Sequence, residues 1–332
     1  MSVQVIETTY KGFGKCVELS NGSIILSITV DQGPRVIRLA VPGGENMFCE
    51  NPDYVGINGW KMLGGHRLWH SPEHAPRTYE RDDKPVRWEE IPGGVHLFQE
   101  IEQSTGIEKE MEIILDEEYP LVSVTHRMRN TTLWPIELAL WGISVMSPGG
   151  KEVVPMSQRD TGLLGNRKIA LWPYSHMNDH RVWWGSRYIT LQQDPKMQPA
   201  FKFGIDNEYG WAAYFNHDCV FIKQHMHDPD EKYPDGGMSY ETYTTDFMLE
   251  MESLSPVQEI LPGEDAEHVE IWSLISDVQA PENDDDAIDA VMDTIIDTSG
   301  CGGCGGCEDC GGCGDEDCEE CGHDHAHHHH HH

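Results

Sequence analysis

Positive charge is scarce: 23 Lys and Arg stand against 57 Asp and Glu, and no Lys or Arg occurs after Lys232. The formal net charge is −34. Nucleic acid and anionic membrane surfaces both need a basic footprint, so neither is expected as a partner. Long apolar runs are missing too, with no stretch of about 18 apolar residues that could span a bilayer as a helix. The N-terminus lacks a basic stretch followed by an apolar one, so a soluble, cytoplasmic protein is expected, and the Asn21 and Asn130 sequons read as chance. Cysteine is sparse in the body of the chain, only Cys16, Cys49 and Cys219, which excludes a disulfide scaffold there. Long amphipathic helices are lacking before residue 279. No Gly-x-Ser-x-Gly nucleophile turn occurs, and Gly12–Lys15 is too short for a phosphate-binding loop.

What is there is a succession of strand-length segments separated by Gly, Pro, Asn and Asp: SIILSITV, GVHLFQEIE, IEKEMEIIL, LVSVTHRMRN, IELALWGISV, RYITLQ, GWAAYFN and CVFIKQHM. In IEKEMEIIL, Ile107, Lys109, Met111 and Ile113 share one face, and Glu108, Glu110 and Glu112 the other. Close spacing of such segments predicts an all-β fold, a large antiparallel sandwich over residues 1–279. The period changes in 280–298, where Ile288, Val291, Met292, Ile295 and Ile296 recur at helical spacing behind acids suited to a helix N-terminus. Residues 299–326 form a disordered Cys/Gly/acid-rich tail in expectation, and 327–332 read as an expression tag. In the tail Cys301, Cys304, Cys307, Cys310 and Cys313 recur every third residue, and Cys318 and Cys321 repeat the spacing. Two thiolates so spaced can chelate one soft ion, so zinc or another soft metal is expected there, and no cofactor in the sandwich.

Several stretches carry a resemblance to a known superfamily. DQGPRVIRLAVPGGENMF is similar to an opening unit of turn, strand and turn, and LEMESLSPVQEILPGEDAEHVEIWSL to a closing unit with a Glu-bearing strand. GGHRLWHSPE, ALWPYSHMNDHRVWWGSRYI and KYPDGGMSYETYT resemble an uncharacterised bacterial branch of it. The superfamily is that of the galactose mutarotase-like proteins, which includes the aldose 1-epimerases, and the resemblance covers residues 5–278. It implies a β-supersandwich with one carbohydrate cleft. It also implies epimerase chemistry, in which a glutamate takes the anomeric proton and a histidine protonates the ring oxygen.

On this resemblance Glu250 is the base, with Glu252 its same-face neighbour. The acid comes from the cluster in LGGHRLWHSPEHAPRTY: His66 first, then His74, with His70 a further ligand candidate, while Arg67 or Arg77 grips a hydroxyl or an anion. The strand where relatives carry a second histidine offers Trp141 and Ser144 instead. Trp69, Trp141, Trp172, Trp183 and Trp184 are candidates for stacking on a sugar, one or two of them in contact. Glu73, His225, Tyr233, Asp235 and Glu241 are expected to line the pocket, and His225 and His227 could instead hold a metal with Asp228 or Asp230. Lys202 and Lys223, if they point inward, imply an anionic ligand such as a sugar acid or phosphate. Three functions therefore compete: an epimerase or mutarotase for a small carbohydrate, a non-catalytic sugar-binding or sensor protein, and a metal carrier acting through its tail.

Overall fold

The segment Ile107–Leu115 is a strand whose residues alternate strictly between buried and half-buried positions, as the sequence period predicts. It belongs to one of two large antiparallel sheets in a computed structural model that describes residues 2–298. The ten-stranded sheet runs Val182–Trp184, Tyr188–Gln192, Lys151–Pro155, Trp211–Asn216, Cys219–His225, Asp265–Ser276, Leu121–Asn130, Ile107–Leu115, Gly94–Phe98 and Arg87–Ile91. The twelve-stranded sheet has as its centre, in order, Val36–Ala40, Lys61–Ser71, Ile136–Met146, Leu249–Leu254, Tyr240–Thr244 and Phe201–Ile205. A single apolar core lies between the sheets, with Leu68, Leu140, Met146, Phe201, Phe203, Tyr240, Leu249 and Met251 from the larger sheet meeting Met111, Val124, Phe221 and Trp272 from the smaller one. The fold is all-β, as expected.

A second apolar cluster sits on the opposite face of the larger sheet and includes Trp60, Met62, Trp69, Trp141, Ile143, Val145, Met248 and Leu254. The larger sheet is therefore buried on both faces at its centre, and this second face carries the cleft. Its register decides which side chains meet. Across four strands, Arg67 stands opposite Ile143, Ile143 opposite Glu252, and Glu252 opposite Glu241. One row further, Gly65, Val145, Glu250 and Tyr243 are aligned in the same way.

The histidine and arginine cluster, rather than a loop, begins as a central strand, Lys61–Ser71. Leu63, Gly64 and Gly65 all have positive φ, which bends the strand just before His66. A Cβ on Gly65 would lie 2.2 Å from the Val36 carbonyl oxygen, so only glycine fits this close approach.

The helix Asp285–Thr298 follows the last strand. Asp285 accepts hydrogen bonds from the backbone N–H groups of Ser186, Arg187 and Tyr188. The described residues divide into two units after Val291. The cysteines expected to bind metal, Cys301, Cys304, Cys307, Cys310, Cys313, Cys318 and Cys321, lie outside the described residues. Among the described residues no helix is long and apolar enough to cross a membrane.

Candidate active site

The cleft opens over the centre of the larger sheet and encloses about 480 Å³, a size suited to a small ligand. Its walls are aromatic: Trp60, Trp69, Trp141, Trp172, Tyr54, Tyr79, Tyr174 and Tyr243. The Trp60 and Trp69 ring centroids are 4.7 Å apart, and Tyr79 stands edge-on to Trp69 at 5.0 Å. Its floor is polar. Arg67 Nη2 donates to Glu250 Oε1 at 3.0 Å, and its guanidinium lies 4.1 Å from the Trp69 ring centroid. Lys202 Nζ is 2.7 Å from Glu241 Oε2 and 2.8 Å from Glu252 Oε2. Trp141 Nε1 donates to that same Glu252 oxygen at 3.0 Å.

Strand alternation explains this gathering. Arg67 and Trp69, Trp141 and Ile143, Glu241 and Tyr243, and Glu250 and Glu252 are each two residues apart, so each pair projects to one side of the sheet. Several polar atoms are left without a partner among the described residues: Arg67 Nε and Nη1, Trp60 Nε1, Glu252 Oε1 and both Glu241 oxygens apart from the Lys202 ion pair. Buried polar groups are nearly always bonded to something, so these atoms are open to water or to a polar ligand. A neighbouring cavity of about 290 Å³ joins Glu73, Ala75, Trp141, Trp172 and Lys202 to Asp235 and Glu241.

The electrostatics follow from burial. Burial alone would lower the Lys202 pKa, but Glu252 and Glu241 outweigh it and raise it, so the ammonium stays charged. Burial raises Glu241 well above the usual carboxylate range against the pull of Lys202, and raises Glu252 likewise. Burial, helped by the Glu250 charge, pushes the Tyr243 hydroxyl up to about 12.

Placement of the other candidates requires correction. His66 does not face the cleft. It is one residue from Arg67 and therefore turns into the space between the sheets, fully buried. There it meets Ser144 Oγ at 2.8 Å and His126 Nε2 at 2.7 Å. Lys223 is on the same inner side, 3.0 Å from Glu270 and bonded to the Gly142 and Met251 carbonyls. His225 stacks on Tyr240, also inside. His70 is buried on the inner side, and burial drives its pKa down to about 3. His74 is exposed on the following loop, its backbone N–H bonded to Thr78. Arg77 is exposed and donates to the Pro72 carbonyl. Tyr233 packs on His227 at 5.2 Å in a separate surface groove with Lys168 and Asp206. Trp184 packs on Phe203, and neither it nor Trp183 lines the cleft.

Glu250, Glu252, Arg67, Trp69, Glu73, Trp141, Trp172, Lys202, Asp235 and Glu241 are brought to the cleft or its extension. Tyr54, Trp60, Tyr79, Tyr174 and Tyr243 were not foreseen. Tyr243 alone had a legible signal, since it alternates with Glu241.

Inside the sandwich, His66 Nε2, His126 Nε2 and a Glu270 oxygen lie within 4.8 Å of one another, close enough to surround a metal ion. The hydrogen bonds explain the cluster without one. His126 Nδ1 donates to the His268 carbonyl, which leaves its Nε2 free to accept from His66 Nε2. Lys223 already neutralises Glu270, and a divalent ion beside it would add uncompensated buried charge. Burial lowers the pKa of His66, His126 and His268, keeping them neutral.

No family model matches the sequence, and no curated protein matches it closely. Solved structures do. A candidate aldose 1-epimerase from Klebsiella pneumoniae is 14% identical, with 89% of this chain and 88% of that one covered at a TM-score of 0.55. A galactose mutarotase-like protein from Lactobacillus casei is 10% identical, covering 78% of this chain and 99% of that one at 0.53. A TPR-domain protein from Parabacteroides distasonis is 13% identical at 0.55, but this chain spans only 47% of it. At such identities the likeness concerns the fold alone, and it agrees with the two-sheet topology: the chain has the galactose mutarotase-like β-sandwich fold.

Proposed function

We propose that the cleft binds an uncharged monosaccharide-sized sugar and that Glu250 acts on it as a base, in the manner of an aldose epimerase. The observation that carries this reading is the combination of aromatic walls with a floor of unspent polar atoms, above all Arg67 Nε and Nη1 beside Glu250. Sugars present apolar ring faces and hydroxyl edges, and such a cleft meets both. An anionic sugar is disfavoured, because the two cations of the floor are already paired with carboxylates at 3.0 Å or less. Glu73, Asp235 and the other carboxylates add further negative charge.

A second reading, binding without chemistry, is favoured by the absence of any histidine from the residues lining the cleft. Exchange NMR on a panel of reducing sugars, run beside calorimetry, separates the two. Faster α/β exchange that is lost in Glu250→Gln supports catalysis. Binding heat with exchange at the uncatalysed rate supports a binding protein, and no heat with any sugar removes both.

A further inference from the structure

We propose that Glu241 is a neutral carboxylic acid at physiological pH and that its hydroxyl is the proton donor to an oxygen of the ligand in the cleft, the role a histidine would otherwise fill. This rests on the sugar reading given above.

The argument begins with a count of charges. The floor holds two cations, Arg67 and Lys202, and three buried carboxyl groups, Glu241, Glu250 and Glu252, each 8% exposed or less. Arg67 pairs with Glu250. Lys202 is left to face both Glu241 and Glu252. If both were ionised, the trio would carry a net negative charge buried away from water, which is costly. One proton removes that cost.

Geometry assigns the proton. Glu252 Oε2 receives two N–H donors, from Lys202 and from Trp141 Nε1, as an ionised carboxylate would. Glu241 meets the same Lys202 ammonium at 2.7 Å but receives no second N–H donor among the described residues. The Asp235 carboxyl lies within hydrogen-bonding reach of Glu241 and opposes its ionisation, first through that bond and then through its charge. Glu241 is fully buried, yet it borders the extension of the cleft with Asp235, Trp141, Trp172 and Lys202. The Glu241 proton is therefore held toward Asp235 at the edge of that extension, where a ligand oxygen can compete for it.

The proton balance closes. As Glu250 takes the proton of an anomeric hydroxyl, the bond from the anomeric carbon to the ring oxygen breaks, and the ring oxygen takes the proton of Glu241. The new Glu241 carboxylate is held by Lys202 2.7 Å away. Ring closure on the other face reverses both transfers.

The test uses the whole protein labelled with ¹³C at the glutamate carboxyl carbons. The expected result at pH 7 is a protonated carboxyl resonance that disappears in Glu241→Gln and persists in Glu152→Gln, the control needed because burial also pushes Glu152 up to about 8. Glu241→Gln preserves shape and neutrality, so its thermal midpoint should match that of the wild type. With a sugar that binds, Glu241→Gln should keep its affinity within about threefold while anomer exchange falls at least about tenfold. A Glu241 that titrates in the ordinary carboxylate range overturns the proposal whatever the sugar experiments give. Undiminished exchange in Glu241→Gln overturns the donor role while leaving the sugar reading intact. A wild type that binds no sugar overturns the sugar reading and the donor role together, and leaves the protonation to be decided by the carbon titration alone.

Discussion

Arg67 and Glu250, 183 positions apart in the chain, meet at 3.0 Å across the strand that separates theirs. Arg67 has its other guanidinium nitrogens unspent and lies over the Trp69 ring, while Glu250 is 8% exposed. The pair is both the structural link across the floor and the place where a ligand hydroxyl would dock. Replacing Arg67 with Met should therefore cost about 3 kcal/mol of stability, because it leaves a buried carboxylate unpaired. It should also weaken sugar binding at least about tenfold by removing two donors. Urea denaturation and calorimetry read the two effects separately, and an unchanged urea midpoint would refute the first.

Trp172 is only half-buried and lies 4.6 Å below Lys202 Nζ on the cleft wall. Trp172→Ala should reduce sugar affinity by about tenfold through lost stacking, while stability changes by less than about 1.5 kcal/mol. A large loss of stability with unaltered affinity would make it a core residue.

The buried histidines set the acid limb of stability. Burial lowers the pKa of His66, His126 and His268, and brings His225 to about 4 and His70 to about 3. The folded state keeps them neutral while the unfolded chain takes up protons below its histidine pKa of about 6.5. Their contribution is therefore present above pH about 6.5 and lost as pH falls, by up to about 1.4 kcal/mol per pH unit for each group. Buried Glu152, pushed up to about 8 by burial, works in the opposite sense, as do Glu241 and Glu252: what they contribute is present below about pH 4.3 and lost as pH rises. Urea midpoints measured against pH should pass through a maximum near neutrality and fall on both sides. A plateau from pH 4 to 9 would contradict this.

Gly65→Ala should destabilise the fold by about 3 kcal/mol, since the added Cβ meets the Val36 carbonyl and the backbone φ is positive. The change should also disturb the cleft, because the bend at Leu63–Gly65 precedes Arg67. A thermal melt and the affinity of a bound sugar check the two parts.

Metal retained on purification should be carried by residues 299–326. Deleting them should abolish zinc content, measured by mass spectrometry, without changing the melting of the sandwich. Zinc that survives the deletion would place the site elsewhere.

Much of the fold was legible because strand alternation is a local property. IEKEMEIIL becomes a strand with the expected faces, and LVSVTHRMRN, RYITLQ, GWAAYFN and CVFIKQHM all contain strands where they were expected. The same period put Glu250 and Glu252 on one face. His66 shows where local reading stops. Composition makes His66 and Arg67 equally attractive, and they are neighbours, so only one of them can face the cleft. Which one depends on the parity of the strand, and that parity follows the positive-φ bend at Leu63–Gly65, where the backbone passes close to Val36 and Cys49. Lys202 and Lys223 present the same ambiguity, and the structure sends one to the cleft and the other to Glu270.

The sequence by itself determined an acidic, strand-built sandwich, a helix behind it, a thiol-rich tail, and a list of residues fit for sugar chemistry. It could do so because strand period, turn residues and charge are written locally. Only the tertiary structure decided which members of that list share a cleft, that each floor cation is already paired, and that the favoured histidine belongs to the interior. Those outcomes depend on sheet order and on a one-residue choice of face, which are settled by packing between segments far apart in the chain.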